Sequence, residues 1–262
     1  MDRWLLNTLP TWALALVVVG GALCVGLGGF ALMRRLVPSL AAHADSRSLS
    51  SAFSISSGLF SFVLAFTIGQ LYTNFTRANA DAKQEATVLA QVLRTSSGLP
   101  QPLAGKIRAD VLIYADDVRG REWKEMRRGQ SSLQAWHDID AMYATLDGGR
   151  KAAGSNPFYS DTLSRINDLV VARRTRLDDA NIALPDVFQV LLVLGAVLAL
   201  STTFYFKPFG ERIQVVMIGA ASALVGTALL VALTLDYPYS GSIAVSSAPF
   251  SPHQLLLLAG SA

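Results

Sequence analysis

Four long apolar runs divide the chain, and each has the length of a membrane-spanning helix. They cover residues 11–33, 51–73, 187–206 and 213–235. About 20 apolar residues in a helix suffice to cross the hydrocarbon core of a bilayer. The first run is too long for a cleaved signal peptide, and its basic pair, Arg34-Arg35, lies on the wrong side. The pattern therefore predicts an all-α membrane protein with four transmembrane helices.

The second apolar run continues into an amphipathic segment without a break. No proline or glycine interrupts residues 74–97, and Ala78, Ala82 and Leu89 recur near helical spacing. The turn Gly98-Leu99-Pro100 then ends the pattern. We therefore expect that the second transmembrane helix continues into a soluble domain as one long helix.

The region between the second and third runs has the pattern of a helical domain. Residues 74–185 hold most of the charged side chains and show no alternating strand pattern. Turn residues separate stretches of helical spacing at 102–118, 131–146 and 158–180. We predict an all-α soluble domain at 74–185, inserted between membrane hairpins at 1–73 and 186–236. A tail at 237–262 follows, in which residues 242–246 have the pattern of a short β-strand.

Composition narrows the class of function. Only 16% of the 262 residues are charged, the net charge is +3, and basic and acidic residues are interspersed, which argues against nucleic-acid binding. The single cysteine, Cys24, excludes an intrachain disulfide and a cysteine-based metal site. The three histidines, at 43, 137 and 253, lack metal-ligand spacing, and no phosphate loop or nucleophile motif occurs. We therefore expect no enzyme activity, cofactor or metal.

The charges near the apolar runs bear on orientation. Four spans place both termini and the soluble domain on one side of the membrane. Arg34 and Arg35 stand in the first short loop, whereas the N-terminal head is nearly neutral. The positive-inside rule then favours short loops inside and a domain outside the cytoplasm. With no targeting signal in the sequence, we expect a bacterial inner membrane.

Two rows of side chains on the second span are candidates for the lining of an ion pathway. The hydroxyl row consists of Ser50, Ser54, Ser57 and Ser61. Hydroxyl groups suit either a partly dehydrated anion or close packing of helices. Phe62 and Phe66 lie on the opposite side and suit a hydrophobic constriction, a lipid contact or a core. Gln70, near the membrane exit, suits either an interhelical hydrogen bond or a pore mouth. Because only one face can point into a pore, both alternatives stay open.

Polar and aromatic residues also follow the fourth span. Asp236 is placed to accept backbone N–H groups of its own turn, or else to bind an ion at a pore mouth. Tyr237 and Tyr239 suit the aromatic belt at a membrane interface.

The predicted soluble domain contains candidates for a core and an ion pair. Trp123 and Trp136 are expected to anchor the helical core. Glu122 and Trp123 stand in a charged stretch that we expect to lie between helices. Glu85, on the long helix, is expected to pair with Arg119 or Arg121.

A set of short motifs is spread over nearly the whole chain. The most specific is Asp236-Tyr237-Pro238-Tyr239-Ser240-Gly241. The others are Gly58, Leu64-Ala65-Phe66, Glu85-Ala86, Leu99-Pro100, Tyr114, Val118, Glu122-Trp123, Met126, Gly129, Arg176-Leu177 and Pro185. Together they resemble the bestrophin-like family of bacterial and plant membrane proteins, whose pattern near the C-terminus is similar to Leu-Asp-x-Pro-Phe-Ser-Gly. This chain departs from that pattern only by Tyr239.

The resemblance implies both an architecture and a function. Bestrophins are pentameric anion channels whose second span lines the pore. The resemblance therefore implies a homo-oligomer in a lipid bilayer, a pentamer by analogy, that conducts small ions and in the first place anions. In bestrophins the soluble part is cytosolic, opposite to the side that the charges favour here. The alternative is a non-conducting membrane scaffold or sensor whose helical domain binds a partner, since a continuous helix would also relay a signal.

Overall fold

A computed structural model describes residues 2–36, 46–204 and 210–260, and all regular elements in these ranges are helical. The predicted connections at Pro38, His43 and Asp45 and at Lys207-Pro208-Phe209 lie outside the described residues, as does the side chain of Ser50. The all-α class is therefore confirmed for the part of the chain that the structure describes.

The described residues form eleven α-helices and two shorter helical turns. The α-helices are α1 (Asp2–Thr8), α2 (Thr11–Leu36), α3 (Ser46–Ser96), α4 (Leu103–Asp117), α5 (Trp123–Met126), α6 (Leu133–Gly148), α7 (Arg150–Ala153), α8 (Pro157–Asp179), α9 (Asp186–Thr203), α10 (Glu211–Asp236) and α11 (Pro252–Ala259). A π-helical turn, Val118–Glu122, joins α4 to α5, and a 3-10 turn, Ala248–Phe250, precedes α11. The helical stretches predicted from spacing correspond to α4, α6 and α8.

Two local predictions are wrong. Residues 242–246 form no strand; this segment turns, and the Val245 N–H donates to the Pro238 carbonyl at 2.8 Å. Residues 118–126 do not form a connection between helices, because the π-helical turn and α5 continue α4.

Four helices are long and apolar enough to cross a membrane: α2, α3, α9 and α10. This confirms the four apolar helices that the sequence predicts. In the most apolar part of α2 only 6% of the residues are buried within the protein. Its other apolar side chains therefore need an apolar surrounding outside this chain, such as the lipid of a bilayer. Helix α3 runs unbroken over 51 residues. Its length of about 75 Å is more than twice the roughly 30 Å of a hydrocarbon core.

The chain divides into two compact units. The first unit comprises Met1–Thr73 and Ala183–Asp236, and the second comprises Asn74–Ile182 and Tyr237–Ala262. The C-terminal segment that we set apart as a tail therefore belongs to the second unit. It contributes Val245, Phe250 and Leu255 to the hydrophobic core of that unit.

The first unit is held together by small residues at its helix crossings. In α10, Gly226 lies so close to α2 that an added Cβ would stand 2.9 Å from the Val19 Cα. Gly26 of α2 faces Ser222 of α10 in the same way. Such residues let helix backbones approach closely, which is the main source of helix association in a bilayer.

The second unit is built around the amphipathic part of α3. Ala78, Ala82 and Leu89, which the sequence pattern assigns to one helix face, are fully buried. They share one core with α4, α6 and α8 and with the C-terminal segment. The burial confirms the predicted amphipathic face.

Candidate functional site

One face of α3 is covered by its own unit. In the first unit Phe60, Leu64, Thr67 and Leu71 are buried, and Phe60 packs against Gly195 of α9. At about 100° per residue these four positions fall within an arc of roughly 60°. The predicted lining residues lie outside this arc.

The six predicted lining residues do not share one direction. Ser54 and Ser61 are exposed and project about 100° from the centre of the buried arc, and Ser57 is half-buried at its edge. Phe62 and Phe66, which are 71% and 64% exposed, project about 150° from it. Exposed Gln70 continues the phenylalanine row one turn further. The hydroxyl row and this second row, Phe62-Phe66-Gln70, are therefore separate faces.

Asp236 links the end of α10 to the segment before α9. Its Oδ1 accepts the Leu184 backbone N–H at 2.6 Å, and the residue is buried. The Leu184 carbonyl in turn accepts the Gln189 Nε2 at 3.1 Å. We expected donors from the turn that contains Asp236, and the donor found here comes from a distant segment. This bond holds α9 and α10 in register within the first unit.

Two glutamates and two arginines form a buried ion-pair network in the second unit. Glu85 comes from α3, Glu122 from the π-helical turn, and Arg173 and Arg176 from α8; all four side chains are fully buried. Two negative and two positive charges balance each other. Buried charges are tolerated when they are paired and hydrogen-bonded in this way.

Arg176 is the centre of this network. Its Nε donates to Glu85 Oε2 at 2.5 Å, and its Nη2 donates to Glu85 Oε1 at 3.1 Å and to Glu122 Oε1. Its Nη1 stands 2.7 Å from the Met126 Sδ. Burial acts to lower the pKa of Arg176, but the two carboxylates raise it well above its usual value. The Tyr114 hydroxyl donates to Glu85 Oε1 at 2.6 Å, and burial together with the Glu85 charge raises the pKa of Tyr114.

Arg173 completes the network on the side of α6. Its Nη2 donates to Glu122 Oε2 and, at 2.9 Å, to the carbonyl of Ser132, the residue before α6. Its guanidinium carbon lies 4.2 Å from the ring centroid of Trp136, within cation–π range. The network therefore joins α3, the π-helical turn, α6 and α8.

Trp123 connects the network to the C-terminal segment. Its ring centroid lies 5.4 Å from that of Tyr239 and 5.6 Å from that of Phe250, and its Nε1 donates to the Val245 carbonyl at 3.0 Å. Trp123 is buried, and Trp136 packs against the same core. Both therefore anchor the core, as predicted.

The C-terminal motif lies against the same cluster. The Tyr239 hydroxyl donates to the Ala78 carbonyl at 3.0 Å, and the Ser240 Oγ donates to the Arg127 carbonyl at 3.0 Å. Tyr239 is therefore buried in the core of the second unit, and its assignment to an interfacial belt is wrong. Glu122, Trp123, Tyr239 and Ser240 come together although more than 100 residues separate the two pairs.

The prediction that Glu85 pairs with Arg119 or Arg121 is also wrong. Arg121 pairs with Asp117 at 3.8 Å, Arg119 is exposed, and Arg176 takes the role assigned to them. A sequence signal for the arginines exists, because Ile166, Leu169, Arg173 and Arg176 follow the spacing of a buried helix face. The two arginines occupy the apolar stripe of α8 and are fully buried there.

We predict that replacing Tyr239 by phenylalanine lowers the free energy of unfolding by about 1 kcal/mol. The change restores the family residue and removes only the hydroxyl bond to Ala78, and one neutral buried hydrogen bond contributes about 0.5–1.5 kcal/mol. Denaturant titration in detergent micelles measures the loss. Tyr143→Phe is the matched control, because its hydroxyl bond to Asn167 is exposed and its removal should cost less. Equal losses in the two variants would contradict the assigned role of Tyr239.

In the part of the chain that the structure describes, no three His, Cys, Asp or Glu side chains cluster as metal ligands. The two rows of α3 offer hydroxyl groups on one side and phenyl rings with an amide on the other.

Comparisons with known proteins give the family and the fold. A family model described as the bestrophin-like domain matches residues 20–250. No protein with a curated description matches the sequence significantly. A bacterial bestrophin homologue from Klebsiella pneumoniae has the same fold, with a TM-score of 0.71, 13% identity, and coverage of 94% of this chain and 98% of that one. A single-site variant of a bacterial bestrophin homologue from Klebsiella pneumoniae has a TM-score of 0.71 and 14% identity, and the alignment covers 92% of this chain and 97% of that one.

The match over residues 20–250 accounts for most of the chain and includes α2 from residue 20 onward, the whole of α3, α9 and α10, and the buried network. The TM-score of 0.71 to both solved structures shows the shared fold, although the sequence identity is only 13% and 14%. The four candidate membrane helices agree with a membrane location. The protein is an integral membrane protein and belongs to the bestrophin-like family.

Proposed function

We propose that the protein is a homo-oligomeric channel for small anions and that α3 lines its pathway. Membership of the bestrophin-like family carries this proposal, because bestrophins conduct anions through a pore lined by their second span. The exposed rows of α3 support it, since they leave a continuous face of the second candidate membrane helix uncovered by its own unit.

Of the two rows, we assign the narrow part of the pathway to Phe62-Phe66-Gln70. The two phenylalanines project nearly opposite to the face that packs on α9. A ring of phenyl groups from several copies would form a hydrophobic constriction, which controls ion passage by dewetting. The hydroxyl row, with Ser54 and Ser61, then lies at the side of α3, where small residues suit a neighbouring helix.

The proposal includes an arrangement in the membrane. Residues 74–185 form a helical soluble domain inserted between the second and third membrane helices, and α3 passes from the bilayer into it. The assembly is a pentamer by analogy with bestrophins, in the inner membrane of a bacterium. Native mass spectrometry of the detergent-solubilised protein measures the number of subunits.

Ion flux from reconstituted liposomes tests the proposal. We expect chloride to pass faster than potassium through the wild-type protein, and liposomes without protein to retain both ions. Retention of both ions by correctly inserted oligomers would contradict conduction. That result would favour a membrane scaffold or sensor, for which the unbroken α3 would transmit a signal between the bilayer and the helical unit.

We predict that the double change Phe62→Ala and Phe66→Ala raises chloride flux several-fold. Shorter side chains widen a hydrophobic constriction and let water and ions enter it. Phe188→Ala on α9 is the matched control, because this phenylalanine is also exposed within the first unit and lies on another helix. Unchanged flux in the double variant, together with loss of flux in Ser61→Trp, would assign the pathway to the hydroxyl row.

A further inference from the structure

Two carboxyl groups from different helices lie together in the second unit. Asp81 of α3 and Asp179, the last residue of α8, are within hydrogen-bonding reach of each other. The side chain of Asp179 is only 16% exposed. The Asp81 Oδ2 is shielded from solvent, and no N–H or hydroxyl group donates to it. Two carboxylates in such a place repel each other unless a proton or a cation lies between them.

The surrounding charges do not balance the ionised pair. The Arg77 Nε stands 3.6 Å from the Asp179 Oδ2, but its side chain is 68% exposed. Tyr239 lies nearby, and burial raises its pKa, so its hydroxyl stays neutral. With both carboxyl groups ionised, the group of Asp81, Asp179 and Arg77 carries one net negative charge, and one shared proton makes it neutral.

The other charged groups near Asp81 are paired among themselves. Asp81 borders a cleft of about 420 Å³ between α3 and α8. The charged residues on the other side of this cleft, Arg165 and Asp168, form an ion pair at 3.1 Å. One turn further along α3, Glu85 is neutralised by Arg176. No free positive charge among the described lining residues therefore replaces the proton.

Burial, followed by the hydrogen bond and the negative charge of Asp179, raises the pKa of Asp81 to about 6 against the opposing positive charge of Arg77. The usual pKa of an aspartate is near 3.8. Between these two values the folded protein binds more protons than the unfolded chain. Its stability therefore falls as the pH rises through this window.

We propose that Asp81 and Asp179 share one proton and form a pH-dependent latch between α3 and the C-terminal end of α8. The protonated latch holds the two helices together, and loss of the proton loosens them. The segment 180–185 joins this end of α8 to α9. An effect of the latch on ion flux rests on the proposed channel function, whereas the latch itself does not.

Thermal unfolding at two pH values tests the latch in the full-length protein. Asparagine imitates a protonated aspartate, so Asp81→Asn should melt with the wild type at about pH 3.5, below both pKa values, and a few degrees above it at about pH 7.5. Asp178→Asn is the matched control, because this neighbouring carboxylate is exposed. The melting temperature of this control should differ from that of the wild type by the same amount at both pH values. If the melting temperature of Asp81→Asn also differs from that of the wild type by the same amount at both pH values, the proposal is overturned.

A second variant guards against a folding defect in the first. Asp179→Asn removes the other member of the pair and should show the same gain at high pH. Lower stability than wild type at pH 7.5 in both variants would overturn the latch. Added calcium provides a further test at pH 7.5. If calcium raises the midpoint of thermal unfolding in the wild type but not in Asp81→Asn, the latch is also overturned, because a cation would then bridge the pair.

Chloride flux measures the consequence for conduction. We expect wild-type flux to change between pH 5 and pH 7.5 and Asp81→Asn to remove that change. Wild-type flux that is independent of pH, with the melting shift present, would overturn the regulatory role and leave the channel intact. If the wild type conducts nothing, the channel proposal fails and the melting experiment still decides the latch.

Discussion

Replacing Arg176 by methionine is expected to lower the free energy of unfolding by about 3–5 kcal/mol, a large share of the 5–15 kcal/mol typical of a folded domain. The change leaves Glu85 and Glu122 buried with Arg173 as the one remaining cation of the network. A buried carboxylate without its partner keeps its desolvation cost and loses its compensating attraction. Denaturant titration of the purified protein in detergent measures the effect, and a low yield of folded protein is its first sign.

Two further variants separate charge balance from general damage. Arg174→Met changes the neighbouring residue, which is exposed and lies 5.6 Å from the Trp136 ring, and it should cost less than about 1 kcal/mol. The double change of Arg176 and Glu85 to methionine leaves the Glu122–Arg173 pair in balance. We expect the double variant to recover more than half of the loss. A double variant less stable than Arg176→Met would contradict the role assigned to charge balance.

Replacing Gly226 by valine is the second large change that we predict, and it acts on the first unit. The new Cβ would stand 2.9 Å from the Val19 Cα and 2.9 Å from the Ala22 Cβ, so α2 and α10 must separate. Overpacking of this kind costs about 1–3 kcal/mol, and the upper end applies when backbone blocks relaxation. The midpoint of thermal unfolding in detergent should fall by several degrees.

Gly219 supplies the matched control for this change. It lies on the same helix, and a Cβ added there meets no atom within 4 Å. Gly219→Val therefore has the same effect on backbone freedom and apolar volume without the clash. If both variants melt at the same temperature, the close approach of α2 and α10 does not stabilise the first unit.

The apolar helices were predictable because their signal is local. A run of about 20 apolar residues specifies a membrane helix by itself, and α2, α3, α9 and α10 all follow that rule. The continuity of α3 was also predictable, since residues 74–97 contain no proline or glycine to end it. The π-helical turn was missed, because charged residues within 118–126 look solvated when only their composition is read.

The network was not predictable to the same degree, because its pairs depend on tertiary packing. Glu85 is paired with Arg176, 91 residues away, whereas composition alone led us to expect Arg119 or Arg121. The buried-face spacing of Arg173 and Arg176 with Ile166 is a usable signal. The burial of Tyr239 was missed for another reason. An aromatic residue just after an apolar helix can lie either at the membrane interface or in the core of a neighbouring domain, and the sequence pattern is the same in both cases.

The most direct test of an anion pathway along α3 is chemical block of chloride flux at chosen positions, in a Cys24→Ser background. A charged thiol reagent attached to Phe66→Cys should abolish most of the flux. The same reagent at Leu198→Cys, an exposed position on α9, should leave the flux unchanged. Block at Phe66→Cys alone is the result that a pathway lined by α3 predicts. Full labelling of Phe66→Cys and of Ser61→Cys with undiminished flux would contradict it, because the ions would then pass elsewhere.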